Sequence, residues 1–226
     1  MNNINEINII CLDFDSTIIK YEGIDELARQ KGCYQEVSRI TIEAMEQGLS
    51  FRESLEKRLN ILKPTIDDIR IYYQRNLLDD FSEGIFNLIN RFKNNNKSIY
   101  VISGGFEQLI HPYTDILNIP RENVFCNELI FDKDGKYSSF DTTRLTSVSG
   151  GKIEVIKQIK KQITNKNIMM IGDGLTDLET YPYVNIFIGY GGNIERLYIK
   201  ETVKKIKNGF YYTSFPLLSK HLEMSK

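Results

Sequence analysis

Residues 7–17 read INIICLDFDST. Ile7, Ile9, Ile10, Cys11 and Leu12 form an almost unbroken apolar run, the pattern of a strand buried on both faces of a parallel sheet. The run ends in two carboxylates, Asp13 and Asp15, two residues apart. Like charges at the end of a dry strand are costly unless something neutralises them. The stretch therefore raises a structural question and a chemical one together.

The strand pattern recurs along the chain. Apolar runs at 98–103, 123–126, 167–172 and 185–189 read as strands, with 210–212 as a sixth. Helical periodicity fills most of the intervals, over 84–94, 106–117 and 152–163. In the last of these, Ile153, Ile156, Ile159 and Ile163 make one apolar face, while Lys157, Lys160 and Lys161 face away. Strands alternating with helices predict an α/β fold, a mostly parallel sheet with helices on both sides.

Two stretches break the alternation. Between Ile19 and Asp80 only helical patterns occur, at 22–30, 34–46, 51–62 and, after Pro64, 66–74. Residues 20–79 are thus expected to form a small helical cap inserted into a core built from 1–19 and 80–226. The second break, 127–140, has NELIF and KYSSF flanking Asp132-Lys133-Asp134-Gly135, the pattern of a β-hairpin with an Asp-Gly turn. A calcium loop needs its glycine elsewhere and a closing acid, and this stretch has neither.

Composition sets the outer limits. The 226 residues are 41% apolar and 26% charged with a net charge of −1, ordinary for a chain that builds a core. No broad basic field points to nucleic acid or an anionic membrane. Cys11, Cys33 and Cys126 are widely spaced, which fits neither a disulfide framework nor a zinc site and suits reduced thiols in a cytoplasmic protein. The N-terminus lacks the basic and apolar regions of a signal peptide, and no apolar run approaches the roughly 20 residues of a membrane span. The expected partner is a small molecule, with monomer and homodimer both open.

In an open parallel sheet, ligands sit beyond the carboxyl ends of the strands. The first strand leads into Asp13-Phe14-Asp15-Ser16-Thr17, the second into Ser103-Gly104-Gly105, and the fourth into Gly172-Asp173-Gly174-Leu175-Thr176-Asp177. Gly150-Gly151-Lys152 opens the helix before the fourth strand. This set has a chemical logic. Asp13 and Asp173 suit Mg²⁺, a hard cation that takes a few carboxylates together with substrate phosphate. Asp13 can attack phosphorus, and Asp15, two residues on, can move protons at the leaving oxygen. Ser103 and Lys152 supply a hydroxyl and a positive charge, and Gly104 and Gly105 let backbone N–H groups approach an anion. Each piece alone is ordinary: a paired aspartate in a loop, a glycine turn, an exposed lysine. All four in this order, at strand ends, point to phosphoryl transfer.

DFDST, SGG, the later lysine and GDGLTD resemble the four motifs of the haloacid dehalogenase superfamily of aspartate-nucleophile phosphotransferases. EGIDELA at 22–28, AMEQGLSF at 44–51, ESLEKRL at 53–59, VISGGF at 101–106, SGGK at 149–152, IGDGLTDLE at 171–179 and FIGYGGN at 187–193 are similar to its phosphoserine phosphatase family, so the resemblance spans nearly the whole chain. It implies a Rossmannoid core with a helical cap and Mg²⁺-dependent hydrolysis of O-phospho-L-serine through an aspartyl-phosphate, the last step of L-serine biosynthesis. It further implies Asp13 as nucleophile, Asp15 as general acid and base, and Asp13, the backbone carbonyl of Asp15 and Asp173 as metal ligands, with Asp177 behind them. Some family members carry a regulatory amino-acid-binding domain ahead of the first motif; none is expected in this chain.

Substrate choice is expected from the cap. An acid for the ammonium and a guanidinium for the carboxylate would complement phosphoserine, and the resemblance gives Glu22 and Arg58 those positions. Thr176 matches a residue near the substrate's polar end. Met45 and Phe51 fit either substrate contact or cap core. Another small-molecule phosphatase, a phosphotransferase to an alcohol such as homoserine, and a non-catalytic binding protein are the rival readings. Gly189-Tyr190-Gly191-Gly192 lacks the context of a dinucleotide site and reads as a structural loop, and His111 and His221 read as surface residues.

Overall fold

The computed structural model describes residues 6–47 and 50–224, without the side chains of 42–47 and 224. Strand β1 (Ile7–Leu12) enters a tight turn and is followed by four helices, α1 (Gly23–Gln30), α2 (Tyr34–Gln47), α3 (Phe51–Leu62) and α4 (Ile66–Tyr72). The alternating part then runs α5 (Ile85–Asn94), β2 (Ser98–Phe106), α6 (Glu107–Ile116) and β3 (Val124–Asn127). The pair β4 (Leu129–Phe131) and β5 (Tyr137–Phe140) interrupts it. It resumes with α7 (Gly151–Gln162), β6 (Asn167–Gly172), the short α8 (Leu175–Leu178), β7 (Ile186–Tyr190), α9 (Leu197–Val203), β8 (Gly209–Tyr212) and α10 (Phe215–Met224).

Six strands form one parallel sheet in the order β3-β2-β1-β6-β7-β8. The chain works outward from β1 on one side, then returns to build the other side from β6. The reversal falls between β1 and β6, so the crevice at their carboxyl ends is where a ligand belongs. Asp13 and Asp173 follow these two strands directly.

Both faces of β1 are covered, which is why its sequence reads as an apolar run. Ile9 and Cys11 pack with Ile102, Met170 and Phe187 against Val155, Ile156 and Ile159 of α7. Ile10 and Leu12 pack on the other face with residues of α5, α6 and α10, among them Leu88, Tyr113 and Phe215. The buried face of α7 differs from the periodicity reading: Val155 joins Ile156 and Ile159, while Ile153 and Ile163 are only half-buried. Lys152 lies among the buried residues at the start of that helix.

The four-helix insert shares its core with the sheet. Leu27, Leu55, Leu59, Ile69 and Tyr72 belong to the same apolar cluster as Ile10 and Leu12. Capping boxes start two of its helices, Ser50 with Glu53 at α3 and Thr65 with Asp68 at α4. The α3–α4 loop also pairs with the hairpin: Ile66 N–H donates to the Gly135 carbonyl (2.9 Å) and Tyr137 N–H to that of Pro64 (3.0 Å). The hairpin turn is the expected one, antiparallel and closed by Asp132 Oδ1, which accepts from the N–H groups of Asp134 and Lys136 at 2.9 Å each. His111 and His221 are half-buried rather than on the surface. Among the described residues no helix is long and apolar enough to cross a membrane.

Candidate active site

A cavity of about 750 Å³ opens between the carboxyl edge of the sheet and the helical insert. Asp13, Asp15, Glu22, Phe51, Arg58, Gly104, Gly105, Lys152, Asp173, Thr176 and Asp177 all line it. Ser103 lies beneath, fully buried and within hydrogen-bond reach of Asp15. The side chain of Met45 lies outside the described residues.

The floor is a cluster of buried charges. One carboxylate oxygen from each of Asp13, Asp173 and Asp177 lies within 4.8 Å of the others, and all three residues are buried. Lys152 Nζ bridges two of them, 2.5 Å from Asp13 Oδ1 and 2.6 Å from Asp177 Oδ1. Burial alone would lower the lysine pKa, but Asp13 and Asp177 outweigh it and hold Lys152 above the usual lysine range. Burial, reinforced by Asp177 and opposed by Lys152, pushes the Asp13 carboxyl well above the ordinary carboxylate range. Such a cluster of hard oxygen donors fits a divalent cation that would take up the remaining negative charge.

Asp177 is engaged on both oxygens. Oδ1 meets Lys152, and Oδ2 accepts the Gly174 N–H at 3.0 Å. It thus orients Lys152 from beside Asp13 and Asp173. Its closeness to β6 explains Gly172, where an added Cβ would lie 2.2 Å from Asp177 Cγ. We expect Gly172→Ala to cost at least about 3 kcal/mol of stability, because a buried, ion-paired side chain must be displaced. Thermal unfolding checks this, and an unchanged midpoint would refute it.

Asp15 points elsewhere. The turn places Ser16 at φ 55°, in the left-handed region, and carries the Asp15 side chain toward β2. Asp15 Oδ1 accepts the Gly23 N–H (2.7 Å) and Oδ2 the Ser103 hydroxyl (3.3 Å). Burial raises its pKa to about 6 against the opposing effects of Gly23, Lys152 and Ser103. That value lets the group both give and accept a proton near neutrality. Ser103 Oγ also accepts the Gly105 N–H at 2.9 Å, so this amide, read from sequence as an anion donor, is turned to the hydroxyl here. Gly104 serves the insert: an added Cβ would stand 2.6 Å from Phe51 Cζ. Phe51 both lines the cavity and packs against the core.

Glu22 and Arg58 face the cavity from the insert side. Glu22 Oε1 accepts the Ser16 hydroxyl at 2.9 Å, and burial next to Asp15 and Asp173 raises its pKa to about 7. Arg58 Nε donates only to the Ser54 carbonyl within its own helix (3.4 Å), and its guanidinium makes no ion pair among the described residues. Burial lowers its pKa, against the pull of Asp25, Glu22 and Asp15. A desolvated guanidinium without an anion of its own is suited to receive one from a ligand.

Three further residues escape the sequence reading. Arg196, preceding α9, donates from Nε to Asp173 Oδ2 (2.8 Å) and has Nη2 3.7 Å from Glu22 Oε1. Asn193 Nδ2 bonds the carbonyls of Ser16 (3.0 Å) and Ile19 (3.2 Å) and Ser82 Oγ (2.6 Å), so the glycine-rich loop after β7 pins the turn that carries Asp15. Asn127 Nδ2 bonds the Gly104 carbonyl at 2.8 Å, and its Oδ1 accepts from Thr146 Oγ1 at 2.9 Å. Asn127 ends β3 and Asn193 closes the FIGYGGN stretch, but neither position announces these contacts on its own.

The sequence profile of the haloacid dehalogenase-like hydrolases matches residues 7–181. The phosphoserine phosphatase of Drosophila melanogaster is 42% identical over 216 residues, covering 95% of this chain and 78% of its own. The human phosphoserine phosphatase is 40% identical over 217 residues, covering 95% and 92%. A solved phospho-aspartyl intermediate analogue of phosphoserine phosphatase superposes with a TM-score of 0.79 at 28% identity, covering 96% of this chain and 99% of that one. The chain belongs to the haloacid dehalogenase-like hydrolase family.

Proposed function

We propose that this protein is a phosphoserine phosphatase that hydrolyses O-phospho-L-serine to L-serine and phosphate. The observation that carries this reading is the pairing of a buried carboxylate floor with an acid, Glu22, and an unpaired guanidinium, Arg58, in one cavity. In this reading residues 20–79 act as a cap that reads the amino-acid part, and the sheet edge handles the phosphate.

The Asp13 carboxylate attacks phosphorus and the ester P–O bond breaks. Asp15 gives its proton to the serine oxygen as that bond opens. Water then gives a proton to Asp15 and attacks the same phosphorus, releasing phosphate and restoring both carboxyl groups. Lys152 holds Asp13 in line and meets the charge that grows on the phosphoryl oxygens, and the Ser103 hydroxyl, once turned from Asp15, donates to one of them. Arg196 adds a second cation at the same mouth. Asp13, Asp173 and the Asp15 carbonyl would hold Mg²⁺, which supplies charge neutralisation at the transferring phosphoryl group.

Glu22 accepts from the substrate ammonium and Arg58 takes its carboxylate by a two-pronged hydrogen bond. A turnover panel with Mg²⁺ tests this. Phosphoserine should exceed phosphoethanolamine, which lacks the carboxylate, by at least about a hundredfold in kcat/KM, because the loss leaves the half-buried Arg58 guanidinium unpaired. Chelating the metal should abolish turnover, and returning Mg²⁺ should restore it. Comparable rates on the two esters would refute the substrate assignment, and transfer to homoserine outpacing hydrolysis would make the protein a phosphotransferase.

A further inference from the structure

The first turn of α3 makes contacts that the chemistry above does not use. Arg52 Nη2 donates to the Thr142 carbonyl and to Ser147 Oγ, at 2.8 Å each. Its neighbour Phe51 donates its N–H to Ser149 Oγ at 3.2 Å, while the Phe51 ring covers Gly104. All three acceptors lie in residues 142–149, the segment leading into Gly150, Gly151 and Lys152. No other charged side chain of the insert reaches that segment through a hydrogen bond or ion pair among the described residues.

The segment is firmly joined to the site. Thr146 donates to Asn127, and Asn127 in turn donates to the Gly104 carbonyl, so the segment is tied to the end of β2. Ser147, which receives Arg52, is fully buried. At the other end the segment presses on α7: a Cβ at Gly151 would stand 2.0 Å from the Leu145 carbonyl oxygen. Close-packed groups transmit displacement rather than absorb it. Movement of residues 142–149 therefore moves the start of α7, and Lys152 with it.

We propose that Arg52 is a positioning residue that clasps the helical insert to the 142–149 segment, so that closing the cavity and setting Lys152 against Asp13 become one event. The guanidinium reaches a carbonyl and a hydroxyl at once and needs no carboxylate partner to do so. Arg52 touches neither the substrate nor the reacting atoms. Its effect is on the fraction of protein in the closed, competent arrangement, which scales the apparent affinity. This inference rests on the phosphatase reading above.

The test is a double-mutant cycle on phosphoserine hydrolysis, with Arg52→Ala, Ser147→Ala, both together, and Arg52→Lys. Arg52→Ala should raise KM about tenfold, the size expected for losing a charge-assisted hydrogen bond. The double variant should be no worse than Arg52→Ala, because both changes break one contact. Arg52→Lys, which keeps a charged donor on a flexible stem without the planar fork, should recover to within about threefold of the parent. The thermal midpoint should fall by less than about 3 °C. Unchanged KM, additive losses or no rescue by lysine would overturn the clasp.

If Arg52→Ala does not fold, Arg52→Gln enters the same cycle with the same criteria. If the parent protein fails to hydrolyse phosphoserine, the substrate reading falls and the clasp is judged by amide hydrogen exchange. Arg52→Ala must then speed exchange across residues 142–149, and unchanged exchange there refutes it.

Discussion

Asp13→Asn should abolish phosphoserine turnover, lowering kcat on the order of 10⁴-fold or more, while the protein stays folded. An amide oxygen has no charge with which to attack phosphorus, so the step is removed rather than slowed. The fold has little stake in the charge. Asp13 is buried beside two other carboxylates that oppose its ionisation, and Asn keeps its shape. Lys152 retains Asp177 at 2.6 Å, so no cation is left unpaired. We therefore expect the thermal midpoint to stay within about 3 °C of the parent. Steady-state kinetics with a thermal melt checks both parts. A variant that keeps even a tenth of parental kcat would contradict the nucleophile assignment, and one that loses both activity and fold would show that Asp13 is held for the structure.

Arg58→Ala should raise KM for phosphoserine by about a hundredfold, the scale of truncating one partner of a desolvated charge pair. An aryl phosphate without an amino-acid part should change by less than about twofold. The contrast follows from geometry. Arg58 is on the cavity wall but in hydrogen-bond contact only with its own helix, so its removal leaves the carboxylate floor untouched. Equal losses on the two substrates would mean that Arg58 supports the packing of α3 and does not read the carboxylate.

The carboxylate-lined edge was legible in the sequence because three local facts coincide there. The strands β1 and β6 are buried on both faces and so read as apolar runs, the acids follow directly, and the switch of strand order brings the two ends side by side. Asp13, Asp15, Ser103 and Asp173 needed only strand ends to be placed, and Lys152 the glycine pair that opens α7. Glu22 and Arg58 needed more: their positions among ordinary acids and bases of a helical stretch became meaningful through family resemblance, and the cavity then gathered them.

Arg196 and Arg52 were not legible, for different physical reasons. Arg196 stands just before a helix where the local pattern carries no signal, and it matters only because the chain returns it to Asp173, 23 residues earlier. Arg52 sits in a capped helix start where a basic residue reads as solvated, and its acceptors are about 90 residues away in sequence. Both belong to contacts made by tertiary closure alone. The misread face of α7 has a similar origin: Val155 is buried because the sheet lies over it, though isoleucine spacing alone would favour Ile153 and Ile163.

The most direct test is to acid-quench the protein during turnover of radiolabelled phosphoserine and map the labelled residue by mass spectrometry. Phosphoryl label on Asp13, absent from Asp13→Asn, is the expected result. Label on Asp15 or Ser103, or turnover with no trapped phosphoryl group on the protein, would contradict it.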